Sequence, residues 1–233
     1  MPSLAAVLSR VPYFSGLDPA ALKRLAGEAR ERRCAAGSLI LAEGEPCQGL
    51  SFVVRGRVKV FKLSEDGREQ VLRILGPGRT FNDVPVFDGG PNPGAVAALE
   101  DSVVALIPAA SVHALVRERP EVATAVIQVF AGRLRAMTEM VEDLALRGVT
   151  ARVARLLLEC SRGSPPLAEG PGDHCAHITQ HGLAAMTGSV REVVQRALKT
   201  LEREGAIALA RGRIRVLAPE ILAAWSGAGR QQG

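Results

Sequence analysis

The spacing of apolar residues changes near Ser111, and this change constrains the fold more than any other feature of the chain. Between Gly37 and Val104, apolar and polar residues alternate in stretches such as RVKVFKL. Turn residues recur there roughly every ten positions, which is typical of a small antiparallel barrel or sandwich. From about Ser111 to Leu146, apolar residues recur instead at intervals of three and four, the period of an amphipathic helix. The sequence therefore predicts an α+β protein in which a β domain precedes a long helix.

The long helix carries an apolar seam with nearly heptad spacing. Its members are Val126, Phe130, Leu134, Met137 and Val141. A seam of this length either packs on the chain's own β domain or pairs with a second copy of the chain. Because the predicted helix is longer than a compact barrel, we favour pairing, and these residues are the predicted interface of a homodimer.

Between Thr179 and Gly205 the sequence predicts a helix, a tight turn and a second helix. Thr179 has the side chain of an N-cap, and Gly188 permits the turn that ends the first helix. The segment GAIALARGRIRVL then predicts two short strands around a glycine turn, a wing. A further helix, ARVARLLLECSR, and a strand in HCAHIT are predicted before these elements.

The second of the paired helices has one apolar face and one charged face. At about 100° per residue, Val190, Val194 and Leu198 fall on the same side. The outward side chains are Arg191 at the flank, then Glu192, Gln195, Arg196 and Lys199. Arginine side chains suit guanine O6 and N7, and a glutamate accepts from the amine of cytosine. The alternative is a surface αα-hairpin stabilised by pairs such as Glu192–Arg196.

Excess positive charge is confined to the last third of the chain. Residues 1–145 contain 17 Lys and Arg against 17 Asp and Glu, whereas residues 146–233 contain 12 against 7. A basic half-domain is expected of a protein that binds phosphates. Together with the wing, it favours double-stranded DNA as the partner.

Several classes of protein are not expected. No apolar run approaches the ~20 residues that a membrane span requires, and the N-terminus lacks the pattern of a signal peptide. The four cysteines are widely spaced and too few for a disulfide framework. We therefore expect a cytoplasmic protein without a membrane partner. No nucleophile–base pair, phosphate loop or catalytic carboxylate pair can be singled out, so an enzyme is not expected.

Nearly the whole chain resembles the CRP/FNR superfamily of bacterial transcription regulators. The resemblance rests on LILAEGEP, LSFVVRGRVKVFKLSEDGREQVLRILGPGRTF, GVTARVARLLLE and LAAMTGSVREVVQRALKTLEREGAI. It implies a cyclic-nucleotide-binding-like β-jelly-roll sensor domain over residues 1–110, a dimerisation helix over 111–146 and a winged helix-turn-helix domain over 147–233. It also implies palindromic DNA and RNA polymerase as partners.

The resemblance assigns DNA contacts residue by residue. The base-reading Arg, Glu and Arg of the family fall on Arg191, Glu192 and Arg196, and the further expected DNA contacts are Ser189, Gln195, Lys199 and Thr179. Val190 and Val193 depart from the Ser or Thr and the Thr of the family pattern. These departures concern the N-cap and one phosphate or thymine contact.

The sensor half departs further from relatives that bind cyclic AMP. Asn82 and Asp83 stand in place of the Gly-Glu pair that holds the ribose, and Asn92 followed by Pro93 stands in place of the arginine that binds the cyclic phosphate. A buried phosphate without its cation costs several kcal/mol, so cyclic nucleotide binding in the usual mode is not expected. The predicted pocket for another, unknown effector comprises Phe81, Asn82, Asp83, Asn92 and the facing part of the long helix. The alternatives are a regulator without an effector, or a thiol sensor acting through Cys34 or Cys47; a module that regulates an attached enzyme or channel is disfavoured.

No metal or cofactor is predicted. An iron–sulfur cluster needs a close set of N-terminal cysteines, which is missing. Haem remains an alternative with Pro2, His113, Cys34 and Cys47 as available ligands, although none has a diagnostic spacing. A zinc site with Cys160, Cys175 and His177 lacks an evident fourth ligand.

Overall fold

The computed structural model describes residues 3–163, 167–170, 179–210 and 213–227. The chain divides into two compact units, the first within residues 1–62, 73–135 and 169–172, and the second within residues 63–72, 136–168 and 173–233. The fold is α+β, as the sequence predicts. In the described ranges, no helix is both long and apolar enough to cross a membrane.

The first unit begins with two capped helices, α1 (Leu4–Leu8) and α2 (Pro19–Glu28). Ser3 and Asp18 are their N-caps and accept from the backbone N–H groups of Ala6 and Ala21. In chain order, the strands and the short helix that follow are β1 (Arg30–Cys34), β2 (Leu39–Leu41), β3 (Gly49–Arg55), β4 (Val58–Leu63), β5 (Glu69–Leu75), β6 (Thr80–Phe81), α3 (Asp83–Asp88), β7 (Ala95–Ala98) and β8 (Ser102–Pro108). The end of β4 and the start of β5 belong to the second unit.

These strands form two sheets with a shared apolar interior. One sheet has the order β1-β8-β3-β6, and the other has the order β2-β7-β4-β5-β9, where β9 is Ala168–Glu169. Side chains from both sheets meet in an inner core, which comprises Cys34, Ile40, Val53, Val58, Leu75, Phe81, Val96, Ala98 and Val104. The opposite face of the first sheet packs in an outer core with α1, α2 and the helices that follow β8.

The sequence predicted one long helix from about Ser111 to Leu146. The structure instead has two helices after β8, α4 (Ala109–Glu118) and α5 (Pro120–Leu146). Arg119 between them has a non-helical backbone, with φ −135° and ψ 86°. Pro120 explains the break, because proline lacks the N–H that would continue α4 but suits the first position of a new helix.

The predicted apolar seam of α5 also divides into two parts. Val126 is buried in the outer core, and Phe130 is partly buried against it, with its ring edge-on to Phe87 at a centroid distance of 5.8 Å. Only the second part is exposed: Leu134, Met137 and Val141 have exposed fractions of 68%, 46% and 64%. Val126 and Phe130 therefore contribute to the core of the first unit, and Leu134, Met137 and Val141 are the exposed members of the predicted dimer interface.

The second unit contains α6 (Val149–Ser161), α7 (Gln180–Thr187), α8 (Arg191–Arg203), β10 (Ile207–Ala210), β11 (Arg213–Val216) and α9 (Pro219–Ser226). Its core is built from α6, α7, α8 and α9. Two arginines of α6 attach the last turns of α5 to this core. Arg155 binds both carboxylate oxygens of Asp143 at 2.8 and 2.9 Å, and Arg152 donates to the carbonyl groups of Arg147 and Thr187 at 2.7 and 2.8 Å.

Candidate nucleic-acid interface and ligand pocket

The helix-turn-helix of the second unit has the local structure that the sequence predicts. Thr179 caps α7, its Oγ1 accepting from the N–H of Gly182 at 3.0 Å. Gly188 ends α7 in the left-handed conformation with φ 59°, which glycine adopts without steric cost. The N–H of Ser189 returns to the carbonyl of Ala184 at 3.0 Å. These bonds set the tight turn that joins α7 to α8.

The two faces of α8 have opposite chemistry. Val194, Ala197, Leu198 and Leu201 are buried in the core of the unit. The outward side chains are exposed; they are Arg191, Glu192, Gln195, Arg196 and Lys199. Val190 was predicted on the inner face, but it lies outside the helix as its N-cap, is 38% exposed and makes no capping hydrogen bond with its side chain.

The cations of α8 have no carboxylate partners within the described parts of the chain. The Glu192–Arg196 pair, on which a purely structural surface hairpin would rely, does not come within 4.0 Å in these residues. Because Arg191, Arg196 and Lys199 are exposed and form no ion pair with a described residue, they can bind an external anion without first breaking such a pair.

The wing is present as the antiparallel pair β10–β11, with Ile207 opposite Val216 and Ala210 opposite Arg213. Arg213 and Arg215 are exposed, whereas Ile214 between them packs against the core. The wing, which follows α8 in the sequence, therefore carries two further exposed cations. The strand suggested by HCAHIT falls on residues 174–178, outside the described residues.

In the first unit, the predicted pocket residue Asp83 is enclosed by its own hydrogen-bond network. Its Oδ2 accepts from the hydroxyl of Tyr13 at 2.8 Å, from Oγ1 of Thr80 at 2.7 Å and from Nη1 of Arg133. Arg73 lies on the other side, with Nη1 at 4.0 Å from Oδ1. The carboxylate is therefore held between two guanidinium groups, and no oxygen is left without a charged neighbour.

The electrostatics of this network follow from burial. Desolvation alone would raise the pKa of Asp83, but the charges of Arg133 and Arg73 and the hydrogen bonds from Arg133 and Thr80 hold it below its usual range. The pKa of Tyr13 is raised by burial and by the adjacent Asp83 carboxylate, so its hydroxyl stays protonated. Arg133 and Tyr13 were missed from the sequence; the one available signal was a charged residue one position before the apolar Leu134 of the seam.

The other predicted pocket residues are not gathered around one open space. Phe81 is part of the inner core, and Asn92 is 3% exposed. Asn82 has φ 59°, a left-handed conformation that asparagine tolerates better than most residues. The Nδ2 of Asn82 donates to the carbonyl of Gly49 at 3.0 Å, whereas its Oδ1 and the Oδ1 of Asn92 are buried and have no hydrogen-bond partner among the described residues. Asn82 also lines a cavity of about 630 Å³.

Four of the candidate haem and zinc ligands, Cys34, Cys47, His113 and Cys160, lie in the described residues. Cys34 is buried, and burial raises the pKa of the Cys47 thiol. Cys47 and His113 line one cavity of about 620 Å³, but Nε2 of His113 is 2.6 Å from the carbonyl of Val86. Cys160 is disulfide-bonded. Pro2, Cys175 and His177 lie outside the described residues, and within the described ones no group of three or more His, Cys, Asp or Glu side chains could hold a metal ion.

Comparisons with known proteins agree with both units. Residues 31–119 match the cyclic nucleotide-binding domain family, and residues 151–225 match the Crp-like helix-turn-helix domain family. The chain is 30% identical over 204 residues to the CRP-like cAMP-activated global transcriptional regulator of Mycobacterium tuberculosis, covering 87% of this chain and 91% of that protein. It is 32% identical over 206 residues to the cyclic AMP receptor protein of Thermus thermophilus, covering 88% and 92%.

A solved structure gives the same result. A CRP/FNR-family transcriptional regulator of Thermus thermophilus superposes with a TM-score of 0.67 at 28% identity, covering 85% of this chain and 98% of that one. The described helix-turn-helix, the two-sheet roll and these similarities agree. The chain belongs to the CRP/FNR family of transcription regulators.

Proposed function

We propose that this regulator acts as a homodimer that reads palindromic DNA through α8 and is switched by a small molecule, other than a cyclic nucleotide, bound in the β-roll. The observation that carries the proposal is the outer face of α8, where Arg191, Arg196 and Lys199 are exposed and lack carboxylate partners in the described residues. RNA polymerase is the partner on which a DNA-bound regulator of this family would act.

Base reading by α8 is supported by the position of its charges. Arg191 and Glu192 stand in the first turn and Arg196 one turn later, the part of a recognition helix that contacts base edges. Ser189, Gln195 and Thr179 complete the proposed DNA contacts. Arg191 and Arg196 would donate to guanine, Glu192 would accept from cytosine, and Lys199 would bind phosphate.

Dimer formation is supported by the exposed half of the α5 seam. Leu134, Met137 and Val141 follow one another at intervals of three and four, and each is exposed. A continuous apolar stripe of this kind is stabilised by pairing with its own copy across a two-fold axis. Two copies present two α8 helices, which explains why a palindromic site would be preferred.

The hydrogen bonds and charges of the predicted pocket residues support an effector other than a cyclic nucleotide. The carboxylate of Asp83 is already bound by Arg133, Thr80 and Tyr13, and the phosphate position carries Asn92 and Pro93 instead of a cation. The two curated relatives compared above are named for cyclic AMP, so this difference is the point at which the chain would diverge from them.

The test is selection of genomic fragments by the full-length protein, with and without a metabolite extract. We expect the selected fragments to share an inverted repeat whose half-sites are about 10–10.5 base pairs apart, or a multiple of this distance. We also expect the extract to raise affinity for the repeat about a hundredfold, which requires about 3 kcal/mol of preference for the DNA-binding arrangement. Selection of random fragments would contradict the proposal.

A second candidate is a haem- or thiol-sensing regulator of the same family, or one without any effector. The observation that favours haem is that Cys47 and His113 line the same cavity. The visible absorption spectrum of the purified protein tests it directly, because bound haem absorbs strongly there. A colourless protein that binds the inverted repeat at nanomolar concentration without the extract would favour a regulator that needs no effector.

A further inference from the structure

The cavity beside Asn82 lies at the end of the space between the two sheets. Along β1, Cys34 belongs to the inner core, and side chains two and four residues earlier share its face of the strand. These are Arg32 and Arg30, which pair in register with Val104 and Leu106 of β8. All four line the cavity, so its wall changes from apolar to cationic toward the end of the roll. We call this space the roll-end cavity.

The guanidinium groups of Arg30 and Arg32 have donors available for a ligand. Arg32 donates from Nη1 to the carbonyl of Ile40 at 3.1 Å, and neither Arg30 nor Arg32 forms an ion pair with a described carboxylate. Two carboxylates also line the cavity, those of Glu31 and Glu45. Glu45 already accepts a hydrogen bond from the N–H of Ala42. Glu31 lies on the face of β1 opposite to Arg30 and Arg32, because its partner Ala105 packs in the outer core.

Polar groups deeper in the cavity also lack partners. The amide of Asn82 is oriented by its bond to Gly49, which leaves Oδ1 buried without a donor. The hydroxyl of Ser51, a buried lining residue, makes no hydrogen bond with the described residues. Buried polar atoms are normally satisfied, so a ligand or water that donates to Asn82 is expected.

We propose that the roll-end cavity binds a small carboxylic acid with an apolar ring system and a hydroxyl or amine group. Arg30 and Arg32 hold the carboxylate, Val104 and Leu106 contact the rings, and Oδ1 of Asn82 accepts from the hydroxyl or amine. The volume of about 630 Å³ is within the usual range of ligand pockets. One part of this inference rests on the proposed function, namely that the acid is the effector of the regulator.

Three related probes separate the contributions by calorimetry on the full-length protein. A hydroxynaphthoate carries the acid, the rings and the hydroxyl; naphthoate lacks the hydroxyl, and naphthol lacks the acid. We expect the hydroxynaphthoate to bind most tightly and naphthol at least about tenfold more weakly, since it forms no charge-assisted hydrogen bonds with the arginines. Equal affinity for naphthol and the hydroxynaphthoate, or no binding of the hydroxynaphthoate, would overturn the proposal.

Variants locate the site. Arg30→Gln and Arg32→Gln should each weaken the hydroxynaphthoate by about tenfold or more. Arg33→Gln is the matched control: Arg33 is exposed, as Arg30 and Arg32 are, but it lies on the other face of β1, where its partner Val103 belongs to the outer core. Asn82→Gly keeps the left-handed backbone and should weaken the hydroxynaphthoate to the level of naphthoate, leaving naphthoate itself unchanged. An equal effect of all three arginine variants would place binding elsewhere.

DNA binding is measured separately, on the inverted repeat, so that the two proposals fail in different ways. If acid binding depends on Arg30 and Arg32 but does not change DNA affinity, the binding site is supported and the claim that the acid is the effector is contradicted. Acid binding by a protein that selects no inverted repeat supports the site and contradicts the proposed function. DNA binding without any acid binding contradicts this inference alone.

Discussion

The charges on α8 and those around Asp83 are arranged in opposite ways. On α8, Arg191, Arg196 and Lys199 are exposed and unpaired within the described residues. In the first unit, the side chains of Asp83 and Arg133 are 4% and 15% exposed, and they bind each other. A buried charge is stable only when it is paired, whereas an exposed cation keeps its hydration until an anion replaces it. Exposed charges are therefore available to a partner, and the buried ones already satisfy one another.

The same comparison holds for apolar side chains along α5. Val122 and Val126 are buried in the outer core, whereas Leu134, Met137 and Val141 are exposed. The first half of α5 thus stabilises the first unit, and its second half carries an exposed apolar stripe. We expect the largest mutational effects where such a stripe or a buried pair is disrupted.

The largest effect is expected from the double variant Leu134→Glu, Met137→Glu. Four carboxylates would face one another in the proposed dimer, so sedimentation should show monomers, and affinity for the inverted repeat should fall by at least about a hundredfold through loss of the second half-site. Arg135→Glu, an exposed neighbour on the same helix, is the control and should remain dimeric. A wild-type monomer that binds the repeat tightly would show that the stripe has another role.

Asp83→Asn should cost about 3 kcal/mol of the free energy of unfolding at neutral pH, because it removes the nearer counter-charge of the buried Arg133 and leaves Glu169, whose Oε1 is 3.8 Å from Nε. The pKa of Asp83 is lower in the folded protein than in the unfolded chain. Its contribution is therefore fully present above the unfolded value of about 3.9 and is lost as the pH falls toward the folded value.

Urea unfolding followed by circular dichroism at several pH values measures this contribution. The difference between wild type and variant should shrink below about pH 4. Asp66→Asn is the control, since Asp66 pairs with Arg68 at the surface and its loss should change stability far less. Equal effects of the two variants would mean that the buried network is no more important than a surface ion pair.

Smaller effects are expected on α8. Arg191→Ala and Arg196→Ala should each cost about 1–3 kcal/mol on the specific site and relax the base preference there. Lys199→Ala should weaken specific and random DNA alike. Fluorescence anisotropy with both kinds of DNA at several salt concentrations distinguishes these roles. If all three variants weaken both kinds of DNA equally, α8 is a phosphate-binding surface only.

The smallest expected effect is that of cyclic AMP. Because Asp83 is already bound and Asn92 and Pro93 occupy the phosphate position, millimolar cyclic AMP or cyclic GMP should neither raise DNA affinity nor give a calorimetric signal. Binding of cyclic AMP at micromolar concentration would show that the charges of the roll are available to a ligand after all, and the contrast between the two regions would disappear.

Local patterns in the sequence were sufficient for much of this organisation. The N-cap at Thr179, the turn at Gly188 and the opposite faces of α8 depend on neighbours within a few positions, and the structure confirms them. The separation of a β domain from a helical region likewise follows from the change in apolar period. These features are determined by backbone geometry and the side chains next to it.

Only the tertiary structure decided which side chains satisfy one another at long range. Helical spacing places Val126 and Leu134 on one seam, yet the first is buried by the outer core and the second is exposed. Asp83 meets Tyr13 and Arg133 across 70 and 50 positions of the chain. The roll-end cavity is lined by Arg30 and Arg32 of β1, by Val104 and Leu106 of β8 and by Asn82, which are far apart in the sequence. Burial and pairing depend on which elements pack together, and a local pattern carries no information on that choice.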